Sequence, residues 1–200
     1  MKLGIKKICS ILCCAMLSST TNAIIEFFDG KNYNKEQLAR DFALAQVKLD
    51  TYEYLWDLKL YSDKRFIKQI LQQQPDSFFE QNENFSYFLD CKLESLDDPS
   101  TITALWKQNK ETDWEGASNI ILDDNWVEID FIFVKKPGFF KGKIMLEELV
   151  KFLMEKFKEK NIILTPKYER LISFYESCNF KLLYPNSELC LRMIYDKNKY

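Results

Sequence analysis

The chain has 200 residues, and its 28 basic and 30 acidic side chains give a formal net charge of −2. It contains no histidine, which excludes imidazole general bases, Ser-His-Asp and Cys-His catalysis, and histidine-ligated zinc. Abundant aromatic residues and few glycines and prolines argue against a disordered polypeptide.

Residues 1–23 have the layout of a secretory signal peptide. Three lysines precede an uncharged run from Ile8 to Ser18, and a small polar stretch ends at Ala23. The apolar run is about 11 residues long, whereas a bilayer span needs roughly 20. We therefore predict cleavage after Ala23 and export to the periplasm or the outside. An uncleaved amino-terminal helix and an unused signal on a cytoplasmic protein are the alternatives.

Residues 24–200 have the length of one domain. They keep 25 basic and 30 acidic residues, so their net charge is about −5. This balance predicts no nucleic-acid partner and no binding to an anionic membrane after signal cleavage. The remaining cysteines, Cys91, Cys178 and Cys190, are too few for a cysteine-only zinc site. We predict no metal and three small buried cysteines, with at most one bridge.

The first elements are a strand and two helices. Ile24–Phe28 is a short apolar run closed by Asp-Gly, which predicts a strand. Asn34 is placed as an N-cap, and an apolar stripe at spacings of three and four follows it through Trp56. A second helix is predicted over Asp63–Gln73, where Pro75 ends it. Its inward-facing residues are predicted to be Phe66, Ile67, Ile70 and Leu71.

The middle of the chain changes period. Apolar and polar residues alternate from Phe85 to Lys92, which predicts a strand. A turn at Asp97–Ser100 and a second strand at Thr101–Trp106 would complete a hairpin. The polar stretch from Lys107 to Glu115 is predicted to be a loop.

The last part alternates strands and helices. Val127–Val134 is the strongest strand signal, and Lys143–Lys158 has a clear amphipathic pattern for a helix. This order predicts a mixed sheet with helices on its faces. The remaining predicted elements are a strand at Ile162–Leu164, a helix at Glu169–Cys178, and strands at Phe180–Tyr184 and Leu189–Tyr195.

Three segments carry a resemblance to a known family. Ile129–Pro137 is similar to a strand ending in a Val-x-Pro turn, and Phe139–Ile144 stands where an Arg/Gln-x-x-Gly-x-Gly/Ala loop follows. Leu171–Phe180 is similar to a Phe-Tyr-Glu-Lys-x-Gly-Phe segment. Together these segments resemble the GNAT superfamily of acyl-coenzyme A-dependent N-acetyltransferases. The resemblance implies an α/β fold with a mixed, mostly antiparallel sheet of six to seven strands and helices on both faces.

The resemblance also implies a binding site for acetyl-CoA. In the family, the loop and the following helix amides hold the pyrophosphate, and the fourth strand hydrogen-bonds the pantetheine arm. The loop here differs from the family pattern, because Phe139 replaces Arg or Gln and Ile144 replaces a small residue. The corresponding positions in this chain are Phe133, Val134, Phe140, Lys141, Gly142, Lys143 and Ile144.

The family's catalytic positions fall on three residues. Tyr175 matches a tyrosine that protonates the departing thiolate, although its place in an apolar helical stripe also suits a core residue. Glu128 and Asp130 lie two apart on the strong strand, so they share a face, where they could deprotonate an amine or simply be solvated. Ile132 and Val134 are predicted to continue that face.

The function that the resemblance implies is transfer of an acetyl group from acetyl-CoA to an amine on a small molecule or a peptide. The altered loop and the predicted export keep a second interpretation open, because acetyl-CoA is a cytoplasmic metabolite. In that interpretation the domain is a GNAT-fold binding or interaction module without catalysis.

Overall fold

The sheet has seven strands in a computed structural model that describes residues 24–28, 33–58, 64–107, 113–135, 141–184 and 191–197. The strand order is β1-β2-β3-β4-β5-β7-β6, and every neighbouring pair is antiparallel except β4 and β5. This arrangement confirms the predicted mixed, mostly antiparallel sheet of six to seven strands. The strands are β1 Ile24–Phe27, β2 Thr101–Lys107, β3 Gly116–Leu122, β4 Trp126–Val134, β5 Asn161–Leu164, β6 Phe180–Leu182 and β7 Met193–Tyr195.

Helices cover both faces of the sheet, as predicted. On one face, α5 buries Leu146, Leu149 and Leu153 in a core cluster with strand residues such as Ile129. On the other face, α1 packs Leu38 and Phe42 against β2 and β3. The helices are α1 Lys35–Asp57, α2 Lys64–Gln73, α3 Asp76–Glu80, α4 Glu83–Asp97, α5 Lys141–Lys156 and α6 Ile172–Glu176, with a 3₁₀ turn at Glu169–Leu171.

Several predictions concern residues outside the described ranges. They include the signal peptide at residues 1–23, most of the predicted phosphate loop at residues 136–140, and Cys190. Within the described ranges, no helix is both long and apolar enough to cross a membrane. In the same ranges, no group of three or more acidic or cysteine side chains is placed to hold a metal ion.

The start of α1 follows the predicted cap. The Asn34 side chain accepts a hydrogen bond from the backbone N–H of Gln37 at 2.8 Å. This bond satisfies one of the helix's unpaired amino-terminal donors.

We expect Asn34→Ala to lower the free energy of unfolding by about 1 kcal/mol, because the Gln37 amide loses its acceptor. Asn34→Asp keeps a capping oxygen and should retain most of that free energy. Chemical denaturation of the three proteins measures both effects. Equal stability of wild type and Asn34→Ala would contradict a capping role.

The predicted strand at Phe85–Lys92 is wrong, because this segment lies within α4. Asn82 caps the helix by accepting from the backbone N–H of Asn84. Phe85 and Phe88 pack with the cluster around Phe79, and Lys92 continues the same buried stripe at helical spacing. The alternating pattern was coincidental, and the predicted hairpin with Thr101–Trp106 does not exist. That second segment is β2, between β1 and β3.

Two elements were missed, and two burial predictions were wrong. The strand β3 and the five-residue helix α3 had no prediction. Phe66, predicted to face inward, is 49% exposed, whereas Ile67 in the same helix is fully buried. Cys91 is exposed because α4 turns it outward, while Cys178 is buried as predicted, and neither forms a disulfide.

Candidate functional site

The strands β4 and β5 separate in the middle of the sheet. They pair in parallel from Trp126 with Asn161 to Ile129 with Leu164, where β5 ends. The strand β4 continues for another five residues to Val134, paired with β3 on its other edge. Pro166 follows β5 closely and has no N–H to extend the ladder. A gap therefore opens beside residues 130–134.

A β-bulge lies at the start of this gap. Asn119 pairs with Phe131 but its neighbour Ile120 pairs with Ile129, so Asp130 has no partner on β3. The extra residue in β4 breaks the alternation of its side chains, so residues after the bulge point to the opposite face from the one that simple alternation predicts. Ile132 packs with Ile129 in the core beneath α5, so the prediction that it shares a face with Glu128 and Asp130 is wrong. A register shift of one residue moves side chains to the opposite face.

A cavity of about 820 Å³ occupies the gap and reaches both helical layers. On the face covered by α1 and α4, the cavity is lined by Phe42, Gln46, Lys92 and Ser95. On the face covered by α5 and α6, it is lined by Gly142, Met145 and Tyr175. Residues 130–134 of β4 lie between the two layers. One cavity thus joins the predicted cofactor and acceptor sides.

The described residues leave the amino terminus of α5 uncovered at Gly142. The helix begins at Lys141, two residues earlier than predicted, so Gly142 lies in its first turn. Apart from its chain neighbours and the helix's own backbone, no atom of the described residues lies within 4 Å of where a Cβ on Gly142 would stand. The first-turn amides have no partner inside the helix, and Gly142 lets a ligand approach them closely. This geometry fits a pyrophosphate.

The two lysines predicted to assist a phosphate contact protein groups. Lys141 Nζ lies 2.7 Å from Glu115 Oε2. Lys143 Nζ donates to the backbone carbonyl of Ser177 at 3.1 Å. Neither lysine lines the cavity, so the prediction that they bind a cofactor stays a prediction. Ile144 lies outside the lining as well, whereas Phe133 and Val134 are within it. Phe140 lies outside the described residues.

Tyr175 lies in the cavity wall at the edge of the core. Its ring makes edge-to-face contacts with Phe174 and Phe180, at centroid distances of 5.2 Å and 6.2 Å. Burial, and to a lesser extent Cys178, raises the pKa of the Tyr175 phenol above its usual value near 10. The phenol therefore keeps its proton at neutral pH, as a general acid requires. Tyr175 therefore packs against the core and also lines the cavity, and its catalytic role stays a prediction.

The two predicted carboxylates have different surroundings. Asp130 lines the cavity, and its Oδ2 accepts from Asn119 Nδ2 at 3.1 Å. Glu128 is held by Thr165 and Arg192, each 3.3 Å from one of its carboxylate oxygens. Glu128 does not line the cavity, although Thr165 does. Asp130 is therefore the better placed of the two to meet an acceptor.

Lys92 is a candidate site residue that sequence reasoning missed. Its Nζ donates to Asn119 Oδ1 at 2.5 Å and to Thr103 Oγ1 at 3.4 Å, and it lies 4.0 Å above the Phe42 ring. Burial lowers the pKa of Lys92 to about 7, against a smaller opposite effect of Asp130. The only signal in the sequence was its place on the apolar stripe of a helix that was interpreted as a strand.

We expect Lys92→Met to stabilise the protein most at or below about pH 7. There, the folded wild type bears the full cost of a buried cation. The folded-state pKa is lower than the unfolded-state pKa, so wild-type stability rises with pH between these two values. The difference between wild type and Lys92→Met should shrink by an amount on the order of 3 kcal/mol between about pH 7 and pH 10.

Denaturant unfolding across this pH range measures the effect. The control is Lys92→Arg, whose guanidinium stays charged throughout and should show no such rise in stability. A stability difference between wild type and Lys92→Met that is constant with pH would contradict the shifted pKa.

Comparison with known proteins returned structural neighbours only. No protein-family profile matches the chain, and no curated protein matches it. An N-acetyltransferase, PaiA, from Thermoplasma acidophilum in complex with coenzyme A gives a TM-score of 0.46 at 15% identity, over 88% of this chain and 99% of that one. ElaA from Escherichia coli gives 0.48 at 14% identity, over 87% and 99%. AtaT complexed with acetyl-methionyl-tRNAfMet gives 0.45 at 10% identity, over 59% and 84%. The fold assignment itself rests on the strand order.

Proposed function

We propose that this chain is an acyl-coenzyme A-dependent N-acetyltransferase that transfers an acetyl group to an amine. The observation that carries the proposal is the gap where β4 and β5 part, which opens into one cavity reaching both faces of the sheet. A thioester donor and an amine can approach each other there from opposite sides.

The donor would lie between β4, α5 and α6. Residues 130–134 of β4 have one edge without a strand partner among the described residues, so backbone groups there are available to an extended pantetheine arm. The first-turn amides of α5, approached past Gly142, suit the pyrophosphate. When bound, acetyl-CoA supplies a reactive thioester.

Residues of this chain would carry out the two proton transfers, from the attacking ammonium and to the departing thiolate. Asp130, which lines the cavity at the bulge, would accept a proton from an incoming ammonium, directly or through water. Tyr175 on the other side of β4 holds a phenolic proton that it can give to the departing thiolate. Glu128, fixed by Thr165 and Arg192, adds negative charge beside the acceptor side.

The acceptor is proposed to be a cationic amine on a small molecule or a peptide. The net charge of about −5 for residues 24–200 favours such a partner over a nucleic acid. If residues 1–23 direct export, acetyl-CoA would have to be met in another cytoplasm, whereas an unused signal would leave the enzyme with its own supply.

Amine-dependent release of free coenzyme A tests the proposal. The full chain is incubated with acetyl-CoA and a panel of polyamines, amino-acid amides and lysine peptides. Free coenzyme A is quantified by chromatography, because exposed Cys91 would react with a colorimetric thiol reagent. At least one amine should accelerate release. Release that no amine accelerates would contradict transferase activity.

A second candidate is a GNAT-fold binding module without catalysis. The observation favouring it is that Lys141 and Lys143 contact Glu115 and Ser177 rather than the cavity. In that case amine-dependent release is absent and the cavity binds a ligand other than acetyl-CoA.

A further inference from the structure

The side chain of Lys92 lies at the gap between β4 and β5. It is only 7% exposed, yet it lines the cavity. Asn119 accepts from Lys92 Nζ through its oxygen and donates to Asp130 through its nitrogen. Asp130 directly follows Ile129, the last residue of β4 that pairs with β5. A single side chain, that of Asn119, thus links the Lys92 amine to Asp130, where the strands separate.

The surroundings of Lys92 favour a neutral amine. Its hydrogen-bond acceptors, Asn119 and Thr103, are uncharged, and in the described part of the chain no carboxylate oxygen lies within 4.0 Å of Nζ. A lysine desolvated in an apolar pocket is an activated nucleophile because its nitrogen keeps a lone pair at neutral pH.

We propose that Lys92 is itself an acyl acceptor, which takes the acetyl group from a thioester bound in the gap and becomes Nε-acetyl-lysine. The inference rests on the proposed function, since it requires acetyl-CoA in the gap. It adds a covalent modification site and an internal acceptor to that function.

The step balances without a further reactant. Nζ forms a bond to the acetyl carbonyl carbon, the carbon–sulfur bond breaks, and its electron pair leaves on sulfur. The proton lost from nitrogen passes to Asp130 or water, and Tyr175 can protonate the thiolate and be reprotonated from solvent. The products are one amide and one thiol. Because the amide carries no charge, acetylation also removes the cost of burying a cation.

Few charged groups face the amine. From β4, Asp130 favours the protonated form, while β3 and β2 contribute only the neutral Asn119 and Thr103. The cavity-lining residues of α1 are uncharged, and on α4 the titratable neighbour is Cys91. Lys167 lines the cavity after β5 and is paired with Asp50. Acylation of Lys92 should therefore rise with pH to a plateau above about pH 7, the pKa of its amine.

Site-resolved acylation of the full chain tests the inference. The protein is first shown by intact mass to be unacetylated, then incubated with acetyl-CoA and mapped by peptide mass spectrometry. Lys151, exposed on α5, serves as the internal reference lysine. Lys92 should be acetylated at least about tenfold faster than Lys151, because the bound donor is held beside it. Lys92→Arg should lose the fast phase, and Gly142→Asp should slow it.

The outcomes separate this inference from the proposed function. A rise in melting temperature with acetyl-CoA but no preferential acetylation of Lys92 would overturn the inference and leave the transferase proposal standing. Neither a rise nor acetylation would overturn both. Acetylation of Lys92 that is no faster than that of Lys151, or unaffected by Gly142→Asp, would show reaction from solution and overturn the inference.

Discussion

Tyr175→Phe is expected to lower the rate of acetyl transfer to an amine by about 10²-fold or more. The variant removes the only hydroxyl that α6 contributes to the cavity wall near β4 while keeping the ring that packs on Phe174 and Phe180. Without this acid, the thiolate must leave unprotonated or wait for water. The raised pKa of Tyr175 means that the wild-type phenol stays protonated over the whole neutral range.

The measurement is the initial rate of coenzyme A release at saturating acetyl-CoA, with the best amine found for the wild type. Tyr184→Phe is the matched control, since Tyr184 is 53% exposed and does not line the cavity. Both variants should melt close to the wild type. If Tyr175→Phe released coenzyme A as fast as Tyr184→Phe, Tyr175 would have only a packing role in the core.

Gly142→Asp is expected to remove most of the stabilisation of the protein by acetyl-CoA. A ligand at 100 times its Kd stabilises a folded protein by about 2.7 kcal/mol. The aspartate would fill the open space beside the first turn of α5 and place a negative charge against the pyrophosphate. Most of that stabilisation should therefore be lost.

The variant should fold as well as the wild type without ligand. Among the described residues, no atom outside its chain neighbours and the helix backbone lies near the new Cβ, and an acidic residue in the first turn of a helix is favourable. Lys151→Ala changes the net charge by the same amount on the exposed face of the same helix, and should leave the ligand response unchanged. An undiminished response in Gly142→Asp would mean that acetyl-CoA does not use this helix terminus.

The elements predicted correctly are those with a strong local signal. The apolar stripe from Leu38 onward keeps helical spacing over many residues, and β4 is rich in β-branched and aromatic residues on both sides of the bulge at Asp130. In α4 the buried helical stripe includes Lys92, which is not an apolar residue. The helical pattern was therefore hidden, and the weaker alternating pattern led to the prediction of a strand. Here tertiary packing against α1 decided the structure.

The first four residues of β3 could not be predicted to be extended from their own preferences. Gly116, Ala117, Ser118 and Asn119 are small or polar and have little preference for a strand. They are extended because β2 and β4 pair with them on both sides. A side chain on Gly116 would also collide with Met145 of α5, which explains why a glycine occupies this buried position.

The candidate site was predictable only in part. Its residues on β4, α5 and α6 were named because their local motifs resemble a family. The bulge at Asp130 depends on how three strands pair, and no single segment specifies it. Lys92 was missed for the same reason, because its position beside Asn119 joins residues 27 apart in the chain.

The most direct test of the acetyl-CoA site is thermal unfolding of the full chain with increasing acetyl-CoA, against ADP as an anionic control. Binding in the cleft should give a dose-dependent rise in melting temperature that corresponds to about 2.7 kcal/mol at 100 times Kd, with a smaller rise for ADP. An unchanged melting temperature at millimolar acetyl-CoA would contradict the proposed cofactor cleft.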